Sequence, residues 1–125
     1  MYQDIELPQA DLLINVLPTV NTQTNMQTVR PTGIHFVDAD GHALIFGFSA
    51  SVDSEEIMRS ADGNSVLVLR PAQLGQWTEE TIDLASYWAL TGWEQPPEIQ
   101  VWLVASAYYT APGTYDFYVA SIGEK

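Results

Sequence analysis

The 125-residue sequence holds no cysteine, which excludes a disulfide framework, thiolate metal sites and thiol catalysis. It is almost as poor in positive charge. Four Lys and Arg stand against sixteen Asp and Glu, for a net charge of −12. A chain this acidic repels phosphate backbones and anionic lipid surfaces, so neither nucleic acid nor a membrane is an expected partner. Charged residues of both signs make up only 16%, below the roughly 25% of an average soluble domain. Hydrophobic residues reach 46%, the balance of a packed chain rather than a disordered one. No apolar run approaches the roughly 18 residues of a membrane span. The opening Met1-Tyr2-Gln3-Asp4-Ile5-Glu6 has neither the basic nor the apolar region of a signal peptide.

The length suits one domain spanning residues 1–125. Breakers recur along it: Pro8, Pro18, Pro31, Gly33, Gly41, Gly63, Pro71, Gly75, Gly92, Pro96-Pro97 and Pro112-Gly113. The intervals between them suit strands better than helices, and several show period-2 alternation. Leu44, Phe46 and Phe48 share one face of a run, with Ala43, Ile45 and Gly47 on the other. Ile99, Val101 and Leu103 alternate with Gln100, Trp102 and Val104, and Tyr115, Phe117 and Val119 with Asp116, Tyr118 and Ala120. Shorter candidates are Gln3–Leu7, Leu12–Leu17, Ile34–Val37, Ser65–Leu69 and Glu80–Leu84. The pattern predicts an all-β chain, a single antiparallel β-sandwich of about eight strands. Phe46, Phe48, Val101, Leu103, Phe117 and Val119 are its expected core. Residues 21–30 read as a polar loop, and Val52–Met58 and Ser86–Leu90 as single turns of helix.

Catalytic signatures are scarce. The sequence has no G-x-S-x-G elbow and no H-E-x-x-H pair. The neighbours Glu55-Glu56 and Glu79-Glu80 would point to opposite faces of a strand. A non-catalytic role is expected. Asp38-Ala39-Asp40-Gly41 resembles the start of a calcium loop, but no closing glutamate follows. Asp-Gly between two apolar alternating runs is also a hairpin signal, and that reading is preferred, with Asp38 and Asp40 as the calcium alternative. His35 and His42 flank the same turn, where they would face each other across the hairpin.

Aromatics crowd the second half: Trp77, Tyr87, Trp88, Trp93, Trp102, Tyr108, Tyr109, Tyr115 and Tyr118. Some must fill the core, yet amphipathic rings on loops also suit a sugar face or a protein partner. Trp88, Trp93 and Tyr109 are the candidate rings. Glu94 and Gln95 are the candidate polar partners, because Gly92 and Pro96-Pro97 hold that segment off the strands.

The order of features is similar to that of galactose-binding-like jelly rolls, a family that includes the carbohydrate-binding modules of secreted glycosidases and adhesins. Gln76-Trp77 through Asp83-Leu84-Ala85-Ser86-Tyr87 resembles the family's "W…v-D-L-S-x-Y" segment. Ile99–Ala105 resembles its "v-x-v-x-f-x-a" strand, Gly113–Ile122 its closing strand, and Tyr2–Pro8 its opening "v-x-Q-x-v-x-L-P" strand. Ala120 and Ser121 stand where the family carries an acidic pair associated with a structural calcium, so no cofactor is expected. The resemblance implies a jelly-roll sandwich binding a polysaccharide or other glycan, extracellular as a domain excised from an exported protein. The alternative is a phage or virus structural component, such as a decoration, fibre or tail protein. It would be located in the virion, with identical subunits and other virion proteins as partners.

Overall fold

A computed structural model describes the backbone of residues 2–6, 12–18, 33–50, 52–104 and 117–124, and the side chains of 12–18, 33–50 and 52–104. The elements are β1 (Tyr2–Glu6), β2 (Leu12–Pro18), β3 (Gly33–Val37), β4 (Ala43–Ser49), β5 (Glu56–Arg59), β6 (Ser65–Pro71), β7 (Thr78–Ile82), α1 (Leu84–Thr91), β8 (Glu98–Val104) and β9 (Phe117–Glu124). Six strands form one sheet in the order β1-β8-β3-β4-β6-β5, and three form another in the order β7-β2-β9. The two sheets face each other across one core.

Alternation decides which side chains fill that core. Leu12, Ile14 and Val16 of β2 are buried against Ile34 and Phe36 of β3, Leu44, Phe46 and Phe48 of β4, Val66 and Val68 of β6, and Ile99 and Val101 of β8. Phe46 and Phe48 are fully enclosed and Val101 nearly so, while Leu103 packs half-buried at the margin. The side chains of Phe117 and Val119 lie outside the described residues. β4 has no wet face, because Ala43 and Ile45 form a second cluster with Leu67 on the outer side of the sheet.

Two features depart from the expected antiparallel sandwich. β4 and β6 run parallel, from Ala43 opposite Ser65 to Ser49 opposite Pro71. A parallel neighbour needs a crossover, and the intervening chain supplies it while placing β5 antiparallel on the far side of β6. The stretch 52–58 is therefore not a turn of helix: its second half is the sheet's outer strand. The other departure is α1, longer than the turn expected at Ser86–Leu90. Asp83 caps it, accepting the Ser86 N–H at 3.1 Å and the Ser86 hydroxyl at 2.7 Å. Gly92, at φ 82°, ends it. The strand expected at Glu80–Leu84 consequently stops at Ile82. The helix buries Leu84, Trp88 and Thr91, spaced four and three residues apart. Residues 21–30 lie outside the described residues. Among the described residues, no helix is long and apolar enough to cross a membrane.

Gly33 opens β3 at φ 154°, where a Cβ would collide with the Phe46 carbonyl oxygen of the neighbouring strand. Gly33→Ala is expected to lower unfolding stability by more than about 1 kcal/mol. Urea denaturation measures it, and an unchanged midpoint would show that β4 yields at this point.

Candidate functional site

The turn between β3 and β4 is built around one carboxylate. Asp38 Oδ1 accepts the N–H groups of Asp40 at 3.0 Å and His42 at 2.8 Å, and Oδ2 meets His42 Nδ1 at 2.7 Å. The Gly41 N–H donates to the Asp38 carbonyl at 3.2 Å, with Gly41 at φ 87°. The Asp-Gly signal is thus a hairpin. Ligand atoms of Asp38, Asp40 and His42 lie within 4.8 Å of one another, close enough to share a cation. Both Asp38 oxygens already have protein partners, however, so the turn is accounted for without one. The register sets His35 opposite Ile45, and His42 falls in the turn, so the two histidines do not face each other across the strands.

Trp93 joins this turn to the rest of that end of the sandwich. Its ring stacks on His42 at 4.7 Å and 15°, and meets Trp88 edge-on at 5.3 Å. Its indole N–H donates to the Gly63 carbonyl at 3.3 Å, and Arg59 lies 5.9 Å from its centroid. Trp88 is a correction to the expected site: at 0% exposure it is core, held by its indole N–H to the Glu94 carbonyl at 3.0 Å. Glu94 and Gln95 are exposed beside Trp93, with the Gln95 amide reaching the Ala85 carbonyl at 3.5 Å. Tyr109 lies outside the described residues. Of the expected cluster, the structure therefore brings together Trp93, Glu94 and Gln95 at the rim, and Asp38 and Asp40 one histidine away.

A different set lines the largest hollow among the described pockets, about 410 Å³ on the outer face of the six-stranded sheet. His35 comes from β3, Gln100 and Trp102 from β8, and Asp62, Asn64 and Ser65 from the turn before β6 and its first residue. The Trp102 indole N–H donates to Gln100 Oε1 at 3.2 Å, fixing ring and amide together on that face. Asp62 is held below the usual carboxylate range, chiefly by the Ser60 hydroxyl and then by the Asn64 N–H, both of which favour its anionic form. A smaller hollow, lined by Asp38, Glu98 and Gln100, adjoins it across Val37 and Gln100. Trp102 was legible as part of the fairly apolar reverse of the Val101–Leu103 face, but nothing in its own strand marks it as pocket-lining. A further ring, Trp77, is 55% exposed on the loop before β7.

No family model matches the chain, and no curated protein or solved structure is similar to it.

On the core side, Arg70 gathers groups from three other segments. Nη1 donates to Glu80 at 3.1 Å and to the Thr81 carbonyl at 3.0 Å, and Nη2 to the Tyr87 hydroxyl at 3.1 Å. Glu55 lies 3.3 Å from Nε, although the N–H is not aimed at it, and accepts the Tyr87 O–H at 2.5 Å. The guanidinium also lies over the rings of Phe46 and Tyr87. Burial opposes its charge, but the bonds to Tyr87 and Glu80 outweigh that and raise its pKa. This cluster is a brace: Glu80 is bonded to the arginine and Glu55 to Tyr87, and together they tie β6 and β7 to α1 and the β4–β5 connection.

Tyr87 is pushed above its usual pKa by burial first and by its bond to Glu55 second. The folded chain therefore holds this proton more tightly than the unfolded one. Its contribution to stability is complete below pH about 10 and is lost as pH rises through the raised value. Urea unfolding across that alkaline window should show a shallower decline in Tyr87→Phe than in wild type; equal slopes would contradict the assignment. Trp93→Ala, which unstacks His42 and opens one side of Trp88, is expected to lower the melting temperature in a thermal scan.

Proposed function

We propose that the chain is a non-catalytic glycan-binding module whose ligand lies in the outer-face hollow. The observation that carries this reading is the lining itself. An indole, two side-chain amides and a carboxylate surround a space of about 410 Å³, within the usual range for small-molecule sites. Saccharides ask for that combination: a ring against the apolar face of a pyranose, and acceptors and donors for its hydroxyls. Trp102 supplies the ring, Gln100 and Asn64 are bifunctional amides, and anionic Asp62 accepts hydroxyl protons. The net charge of −12 favours neutral or amino sugars over sulfated or uronic polymers. The resemblance to galactose-binding-like jelly rolls supports the same class, and with it an extracellular setting.

The site differs from the one first expected, because Trp88 is enclosed in the core and the amides and carboxylate of the hollow gather around Trp102. An array of neutral glycans followed by calorimetry on the best ligand tests the proposal. Trp102→Ala is expected to remove most of the binding heat, since a ring that stacks on a ligand dominates such weak sites. Gln100→Ala, which removes one amide and the acceptor of the Trp102 indole N–H, is expected to weaken binding with an unchanged melting curve. Binding that survives Trp102→Ala, or a wild type that recognises no glycan, sinks the reading; the second result leaves the virion component in its place. EDTA is expected to leave affinity unchanged, because the Asp38 oxygens are taken up within their own turn.

A further inference from the structure

β5 is the last strand of the larger sheet, and among the described residues its outer edge pairs with nothing. Ile57 and Arg59 sit opposite Val68 and Val66, on the core side of the sheet, yet Ile57 is 52% exposed. Leu90 of α1 is 69% exposed, and with Ile57 it lines an apolar hollow of about 240 Å³ floored by Leu44, Val66 and Val68. An unpaired edge beside exposed aliphatic side chains is a template for another strand.

We propose that this edge is a self-complementary interface, at which a second copy of the chain adds its own β5 antiparallel across a two-fold axis at Ile57. Charge complementarity selects both the occupant and the register. A two-fold axis normal to the sheet keeps the core faces on one side, so directly opposed residues must share a face. Centring on Glu56 would set it against the partner's Glu56, and centring on Arg59 would oppose two arginines, each destabilising. Centring on Met58 would leave Arg59 facing the partner's Ile57. Centring on Ile57 places it against the partner's Ile57 and sets Glu55 opposite the partner's Arg59, twice by symmetry. Both charges are already positioned. Glu55 is held by Tyr87, and Arg59 donates to the Thr91 carbonyl at 2.9 Å. In a chain with only four basic residues and a net charge of −12, two copies repel except where a cation meets a carboxylate. The interface is separate from the glycan proposal, since Ile57 and Arg59 lie on the core side of the sheet and the hollow beside Trp102 on its outer face.

Sedimentation velocity over a concentration series tests it, with wild type, Ile57→Asp and Arg59→Glu compared. Wild type is expected to dimerise, and both variants to run as monomers at concentrations where wild type is dimeric, with unchanged circular dichroism. Because the chain has no cysteine, Ile57→Cys adds a direct check: mild oxidation should yield a covalent dimer far faster than in Leu74→Cys, an exposed site elsewhere. A wild type that stays monomeric, a dimer that survives both substitutions, or equal cross-linking rates for the two cysteines overturns the proposal.

Discussion

β4 must be buried on both faces, and the rest of the architecture answers that requirement. Leu44, Phe46 and Phe48 point into the space between the sheets, while Ala43 and Ile45 pack with Leu67 on the outer side. Strands buried on both faces tolerate a parallel neighbour, and β4 has one in β6. The crossover between them forces β5 to the outside of the sheet and brings the turn at 60–64 beside the turn at 38–42. The Ala43 N–H donates to the Asn64 carbonyl at 2.9 Å there, joining the two turns. The lining of the outer-face hollow is a consequence of that junction.

The Arg70 brace works at the other end of the same pair of strands. A buried cation in a chain with so few needs partners, and Glu55, Glu80, Thr81 and Tyr87 supply them from three separate elements. Removing Glu80 would leave the largely enclosed guanidinium without the carboxylate it is bonded to. The brace sets how α1 sits against the sheet, and so leaves Leu90 and Ile57 at an open margin.

Much of the fold was legible because period-2 alternation is a local property. The faces of β2, β4 and β8 follow from their own residues, and the Asp-Gly turn from its neighbours. The parallel pairing was not legible, since it depends on which strand lies beside which. The helix was missed as a full element because its buried positions, Leu84, Trp88 and Thr91, end on a polar residue. The site was the least legible part. Trp88 and Trp93 were expected to flank a loop, but Trp88 lies within α1 and faces the core, which depends on what the helix packs against. Trp102 meets Asp62 and Asn64 only through the junction of turns, across about forty residues of sequence.

The central claim is that a saccharide occupies the hollow between β3, β8 and the turn before β6. The most direct measurement is a titration of isotope-labelled protein, followed by amide and indole resonances, with a neutral oligosaccharide selected from an array. The account predicts that the Trp102 indole N–H and the backbone amides of residues 62–65 move together with one affinity, while the Trp93 indole stays in place. Shifts centred on Trp77 or Trp93, with residues 62–65 and 102 unmoved, would contradict it.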